Sequence, residues 1–163
     1  MAQSIGATVD NLFTTCRDTI FAASKGADNM PVFVCLGEPG QYAPATIIAI
    51  ATDVRMPITR PTAGTGRSRE IQADIDIVIS ALVPGGPEAQ QTAIDAALQL
   101  QGLLETYFRT SPNETLGGAC REAFVSTAQL QSYIGYQQAS QGEPYPIGRV
   151  AANTVTVTAH IRY

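Results

Sequence analysis

Apolar residues recur every three or four positions near the start of the chain, between Ile5 and Ala23. This spacing places them on one face of a helix. The members of the face are Ile5, Val9, Leu12, Phe13, Cys16, Ile20 and Ala23. The pattern therefore predicts a first helix, which ends before Gly26 because glycine commonly terminates helices.

Three extended segments follow. A β-branched and aromatic run, Val32–Leu36, predicts a short strand. The segment Ala45–Met56 is rich in isoleucine, and Ile71–Val83 alternates strictly, with isoleucine and alanine on one face and Gln72, Asp74 and Asp76 on the other. These last two segments are expected to pair as a long antiparallel hairpin.

The segment between these two strands, 57–69, is too rich in proline and glycine for a regular element and is longer than a hairpin turn requires. It is predicted to project as an arm. The arginines at the arm and its base are Arg55, Arg60, Arg67 and Arg69, with no acidic residue between Asp53 and Glu70. Two interpretations are open: a solvated loop, or an interface arm that docks on a neighbouring subunit or on a nucleic-acid backbone.

The second half of the chain predicts one helix and two strands. Helical spacing runs from Ala89 to Phe108, after Pro87 in the first turn. The mixed segment Ala123–Tyr136 is assigned to a strand, with a helix as the alternative. Thr154–Tyr163 alternates apolar and polar residues and predicts a half-exposed final strand.

These elements predict an α+β fold in which a mainly antiparallel sheet with a long armed hairpin packs against two helices. Residues 1–163 form one predicted domain without internal repeats. The segment from Leu130 to Gly148 departs from a plain strand-turn-strand pattern because tyrosines stand among glutamines, prolines and glycines. A second contact loop is one interpretation of it.

Composition restricts the classes of partner. The net charge is −4, with one lysine, Lys25, among ten basic residues, which argues against broad binding of phosphates. No apolar run is long enough to cross a membrane, and the first residues do not resemble a secretion signal, so we expect a protein that stays in the cell that makes it. Cys16, Cys35 and Cys120 are expected to be reduced.

No catalytic, cofactor-binding or metal-binding motif stands out. His160 is the only histidine and lies on the polar face of the final strand, which is typical of a solvated residue. The segment Gly64–Arg67 lacks the lysine of a phosphate-binding loop and a following helix. We therefore expect a protein that is not an enzyme and needs no cofactor.

Asp74 and Asp76 share one face of their strand. The commonest reason for such a pair is a solvated strand face, although two carboxylates can also hold a hard cation or act as an acid–base pair. A further hypothesis is a head-to-tail ring in which the arm arginines of one subunit bind the aspartates of the next.

The layout as a whole resembles the tail terminator proteins of long-tailed bacteriophages. The resemblance is one of pattern and covers nearly the whole chain. It comprises an N-terminal amphipathic helix, the short strand Val32–Leu36, the armed hairpin Ala45–Val83, the helix Pro87–Phe108 and the closing strand Val155–Tyr163.

This resemblance implies a structural protein of the virion, assembled in the host cytoplasm. Its expected partners are further copies of itself in a homohexameric ring, the tail tube protein and the head-tail connector or stopper protein. DNA would only pass through the channel of the ring, and no membrane is involved. The arm would contact the tube, the adjacent subunit or the connector, and Asp74 and Asp76 become candidates for an acidic channel lining.

Two alternatives accompany the tail terminator. One is another neck or head-completion protein that joins head and tail. The other is a cytoplasmic enzyme or ligand-binding domain whose site uses Asp74, Asp76 and the arm arginines, which a pocket with converging carboxylates would favour.

Overall fold

The computed structural model describes residues 3–40, 45–57, 70–137 and 139–162. These residues form a five-stranded, mostly antiparallel sheet and a layer of helices on one side of it. The predicted α+β class is confirmed. The arm residues Arg60, Arg67 and Arg69 lie outside the described residues.

The first helix, α1, spans Ile5–Thr15 and continues as a π-helical turn, Cys16–Ile20. Ser4 caps it, because its hydroxyl oxygen accepts a hydrogen bond from the amide of Ala7 at 3.1 Å. The helix ends at Phe21, earlier than the predicted Ala23, where the backbone leaves helical geometry. The Phe21 ring is thereby buried in the core.

The strand order is β1-β2-β3-β5-β4. Strand β1, Phe33–Leu36, pairs in parallel with β2, Thr46–Ile50, and β2 pairs antiparallel with β3, Glu70–Val83. The predicted hairpin is therefore present, but its first strand is much shorter than Ala45–Met56. Beyond β2 the two branches remain in contact through a backbone hydrogen bond from the Ala51 amide to the Asp76 carbonyl and through an isolated bridge between Arg55 and Asp74.

The two longest strands form the other half of the sheet. Strand β4, Glu122–Gln137, confirms the strand interpretation of Ala123–Tyr136. Strand β5, Tyr145–Arg162, begins well before the predicted Thr154. The interpretation of Leu130–Gly148 as a contact loop is wrong for most of that segment. Strands β4 and β5 pair from Gln137 and Tyr145 inward, and each satisfies the backbone groups of the other.

Strand β5 lies between β3 and β4. The expectation that its polar face is half-exposed was therefore wrong at Thr156 and Thr158, which are 7% and 3% exposed. Neighbouring side chains on both flanking strands cover them. Central strands bury both faces more than edge strands do, and sequence alternation alone does not reveal a strand's place in the sheet.

Helix α2, Ala89–Arg109, packs its apolar stripe against β3, β4 and β5. The buried members of the stripe follow the predicted spacing and are Ala93, Ala97, Leu100, Leu104 and Phe108. They share one core with Leu12 and Cys16 of the first helix, so both helices lie on the same side of the sheet. The face that carries Asp74 and Asp76 is opposite, and none of the described helices covers it.

Candidate functional site

The candidate site is the polar part of this uncovered sheet face. Alternation along β3 places Asp74 and Asp76 on it, and the register between β3 and β5 places Thr158 opposite Asp74 and Thr156 opposite Asp76. The β2–β3 connection adds Arg55, whose backbone amide and carbonyl both bond to Asp74. The face therefore combines two carboxylates, two hydroxyls and one guanidinium.

Asp76 is the centre of the stronger cluster. The Arg55 guanidinium donates two hydrogen bonds to its carboxylate, at 2.5 and 2.9 Å, and the Thr156 hydroxyl donates a third at 2.7 Å. The hydrogen bonds from Arg55, followed by the one from Thr156, lower the pKa of Asp76 below its ordinary value, although partial burial opposes the shift. Asp76 is consequently ionised at neutral pH and paired.

Asp74 accepts hydrogen bonds from uncharged donors. The Thr158 hydroxyl lies 2.8 Å from its carboxylate, and the Gln72 amide lies 3.2 Å away. The same Thr158 hydroxyl is 2.8 Å from the hydroxyl of Ser126 on β4. The polar network thus runs across three strands, from β3 through β5 to β4.

This arrangement gives the aspartates a structural role in the chain. Each carboxylate accepts at least two hydrogen bonds, and the charge of Asp76 is matched by Arg55. In the part of the chain that the structure describes, no group of three or more potential metal ligands is assembled.

The arm hypothesis placed arginines of one subunit on aspartates of the next. For Arg55 the structure shows a different pairing, since its guanidinium binds Asp76 of the same chain. Arg60, Arg67 and Arg69 lie outside the described residues, so their part of the hypothesis remains a prediction.

His160 lies near the end of β5 on the same face and is more enclosed than expected, with one third of its side chain exposed. Its ring meets Phe124 edge to face, with 5.8 Å between ring centroids, and its Nδ1 is 3.8 Å from a carboxylate oxygen of Glu70. Packing against a neighbouring ring explains its position without a metal.

Cys16, Cys35 and Cys120 are all free thiols, as expected. Burial raises the pKa of Cys16 to about 12 and that of Cys120 to about 11. Cys35 lies on strand β1 and is only partly buried, and this partial burial also raises its pKa. Cys35 is therefore the cysteine that reagents in solution reach most easily.

An open groove of about 610 Å³ lies between α2 and residues 23–27, on the helical side of the molecule. Lys25 and Asp95 stand on its walls, and the buried hydroxyl of Thr46 at its base has no hydrogen-bond partner among the described residues. Neither Asp74 nor Asp76 lines this groove. This groove is therefore not the pocket that the enzyme alternative requires, since that alternative places its site at Asp74 and Asp76.

Sequence reasoning identified Asp74, Asp76 and Arg55 but missed Thr156, Thr158 and Ser126. The sequence does show these threonines as polar residues that alternate with apolar ones in the final strand. Their role depends on the register between β3 and β5, which no local pattern encodes.

The comparisons with known proteins assign this chain to no family. No protein-family model and no curated protein matches the chain. None of the described helices is long and apolar enough to cross a membrane.

Proposed function

We propose that this chain is a tail terminator of a long-tailed bacteriophage, a structural virion protein that forms a ring on the finished tail tube and joins the tail to the head connector. The proposal combines the pattern resemblance with the fold. The order of elements that carries the resemblance folds into one sheet with the helices on a single side.

One observation carries the proposal most directly: none of the described helices covers the sheet face opposite the core, and this face bears a hydrogen-bonded polar network. A ring around a DNA channel needs a wall that is polar yet does not hold phosphates. The network suits such a wall for two reasons. Asp74 adds a carboxylate that repels phosphate, and the Arg55 guanidinium is already paired with Asp76.

A neck or head-completion protein is the related alternative, and inactivation of the gene separates the two. A terminator stops growth of the tube, so its loss should give tails of uncontrolled length without heads. Loss of another joining protein should give tails of normal length that stay separate from filled heads. Electron microscopy of the resulting lysate measures both, and the intact gene supplied in trans is the control.

A ligand-binding domain is the alternative from another class. One observation favours it: the Thr46 hydroxyl in the groove beside α2 is buried and has no hydrogen-bond partner in the described part of the chain. If inactivation of the gene leaves particles of normal form, the virion function is wrong and ligand screening against this groove becomes the next experiment.

A further inference from the structure

The sheet has two free edges in the part of the chain that the structure describes, and they differ in length. Strand β4 forms one edge with sixteen residues, Glu122–Gln137. Strand β1 forms the other with four residues, Phe33–Leu36. An edge strand presents unpaired amides and carbonyls and is a template for a further strand.

The β4 edge lacks two of the usual protections against pairing, which are charged residues and proline. No charged residue occurs between Ala123 and Gly142, and β4 contains no proline. Natural edges are commonly guarded by lysine, proline or bulges. Register shifts do occur at Val125/Thr127 and at Gly135/Tyr136, but the run between them pairs regularly with β5. A long, uncharged and regular stretch of edge is therefore left open.

Large exposed hydrophobic side chains concentrate at both edges. Those on or beside β1 are Met30, Phe33 and Leu36. Those on β4 and the start of β5 are Phe124, Leu130, Tyr133, Ile134, Tyr136 and Tyr145. Tyr133 is 50% exposed and Phe33 is 45% exposed. Aromatic side chains on a polar, uncharged surface are typical of protein interfaces.

We propose that a second copy of this chain binds at the β4 edge through its own β1 edge, so that the sheet continues head to tail from one subunit to the next. The second copy is the fitting occupant because one chain carries both edges and both sets of exposed hydrophobic residues. Symmetric pairing of β4 with β4 would leave Phe33 and Leu36 uncovered.

Head-to-tail contacts close into a ring when the rotation between copies allows it, and closure removes every free edge. The inference deepens the proposed ring and rests on the proposed function for its biological setting. In a continuous sheet, the uncovered faces of all copies point to the same side, so Asp74 and Asp76 of every copy lie on one wall.

In a continuous sheet, residues on the same face of β1 in one copy and β4 in the next lie side by side. Cys35 of β1 can therefore test the pairing. Cys35 lies on the uncovered face of the sheet. It is paired with Ala49 of β2, and Ala49 is paired with Val78 of β3. Val78 points away from the core, because its neighbours Ile77 and Ile79 are buried in the core.

On β4 the same face carries Gln129, Gln131 and Tyr133, as their partners on β5 show. Leu130 and Ser132 point to the helical side. A disulfide needs Cβ atoms about 4 Å apart, so it reports the face as well as the contact.

The experiment uses the full chain with single changes Gln129→Cys, Gln131→Cys or Tyr133→Cys, oxidised by copper phenanthroline at high protein concentration. At least one should form a disulfide with Cys35 of another copy and give a ladder of linked species that extends beyond the dimer. The matched control Ser132→Cys, one residue away on the opposite face, should give no more than the unchanged chain. Circular dichroism verifies that each variant folds.

Adding Cys35→Ser to the reactive variant should abolish the ladder. Dimers that persist without Cys35 would overturn the head-to-tail pairing, since they indicate β4 against β4. The absence of any ladder above the Ser132→Cys level would overturn it as well. The phage function stands or falls separately, because tail length and particle association are measured on lysates and do not depend on which surfaces join the copies.

Discussion

At the scale of single residues, Asp76 connects two separate parts of the fold. Its carboxylate joins Arg55 of the β2–β3 connection to Thr156 of the central strand β5. The side chain is 22% exposed, whereas that of Arg55 is 58% exposed, so solvent screens the pair in part. The contribution to stability is consequently modest but dependent on pH.

We expect Asp76→Asn to lower the free energy of unfolding by about 1 kcal/mol at neutral pH. The folded pKa of Asp76 is lowered, so its carboxylate stabilises the fold at pH values above the ordinary aspartate pKa of 3.8. This stabilisation is lost as the pH falls from there through the folded pKa. Urea unfolding of both proteins should therefore show a difference at neutral pH that shrinks as the pH is lowered below 3.8.

The control for this change is Asp10→Asn on the exposed side of α1, which should leave the unfolding free energy almost unchanged at both pH values. A cost for Asp76→Asn that is the same at neutral and acid pH would contradict the role of the ionised carboxylate.

The sequence was sufficient to place Asp74 and Asp76 together, because alternation in a strand is a local property. It was insufficient to find their donors. Arg55 reaches Asp76 through the course of the chain after β2, and Thr156 and Thr158 reach the aspartates through strand pairing across about half of the sequence. Such contacts depend on tertiary register, which a single sequence does not specify.

At the scale of elements, periodicity predicted the parts that pack against one common core. Helix α2 and strand β3 appear almost as predicted because each buries one regular stripe. The start of β5 was missed because Pro146 and Gly148 resemble loop residues. Pairing with β4 overrides these local signals.

Gly148 illustrates why the residue type matters in β5. A Cβ atom at this position would collide with the backbone carbonyl of Val83 and would lie 3.0 Å from Cα of Pro84. Both neighbours are backbone atoms and cannot rotate away. We expect Gly148→Ala to lower the free energy of unfolding by about 1–3 kcal/mol in urea denaturation.

Gly102→Ala is the matched control for Gly148→Ala. Gly102 lies within α2, where a Cβ atom would meet nothing within 4 Å. Alanine should raise the unfolding free energy by about 0.5–1 kcal/mol there, since glycine is the poorer helix former. Changes of the same sign at the two positions would contradict the close approach of β5 to Val83.

At the scale of the whole molecule, the fold divides its surface into three parts. The helices cover one face of the sheet, the opposite face carries the network around Asp74 and Asp76, and the two edges carry most of the large exposed hydrophobic residues. This division suits a subunit that joins its neighbours at the edges and presents a polar face to whatever passes between them.

The most direct test of the proposed function is sedimentation of a lysate from the source, probed with an antibody to this chain. The account predicts that the chain sediments with virion-sized or tail-sized particles at a few copies per particle, and that antibody-labelled particles show it at the head-tail junction. A chain that stays entirely at the top of the gradient as a small species would contradict the proposed place in the virion.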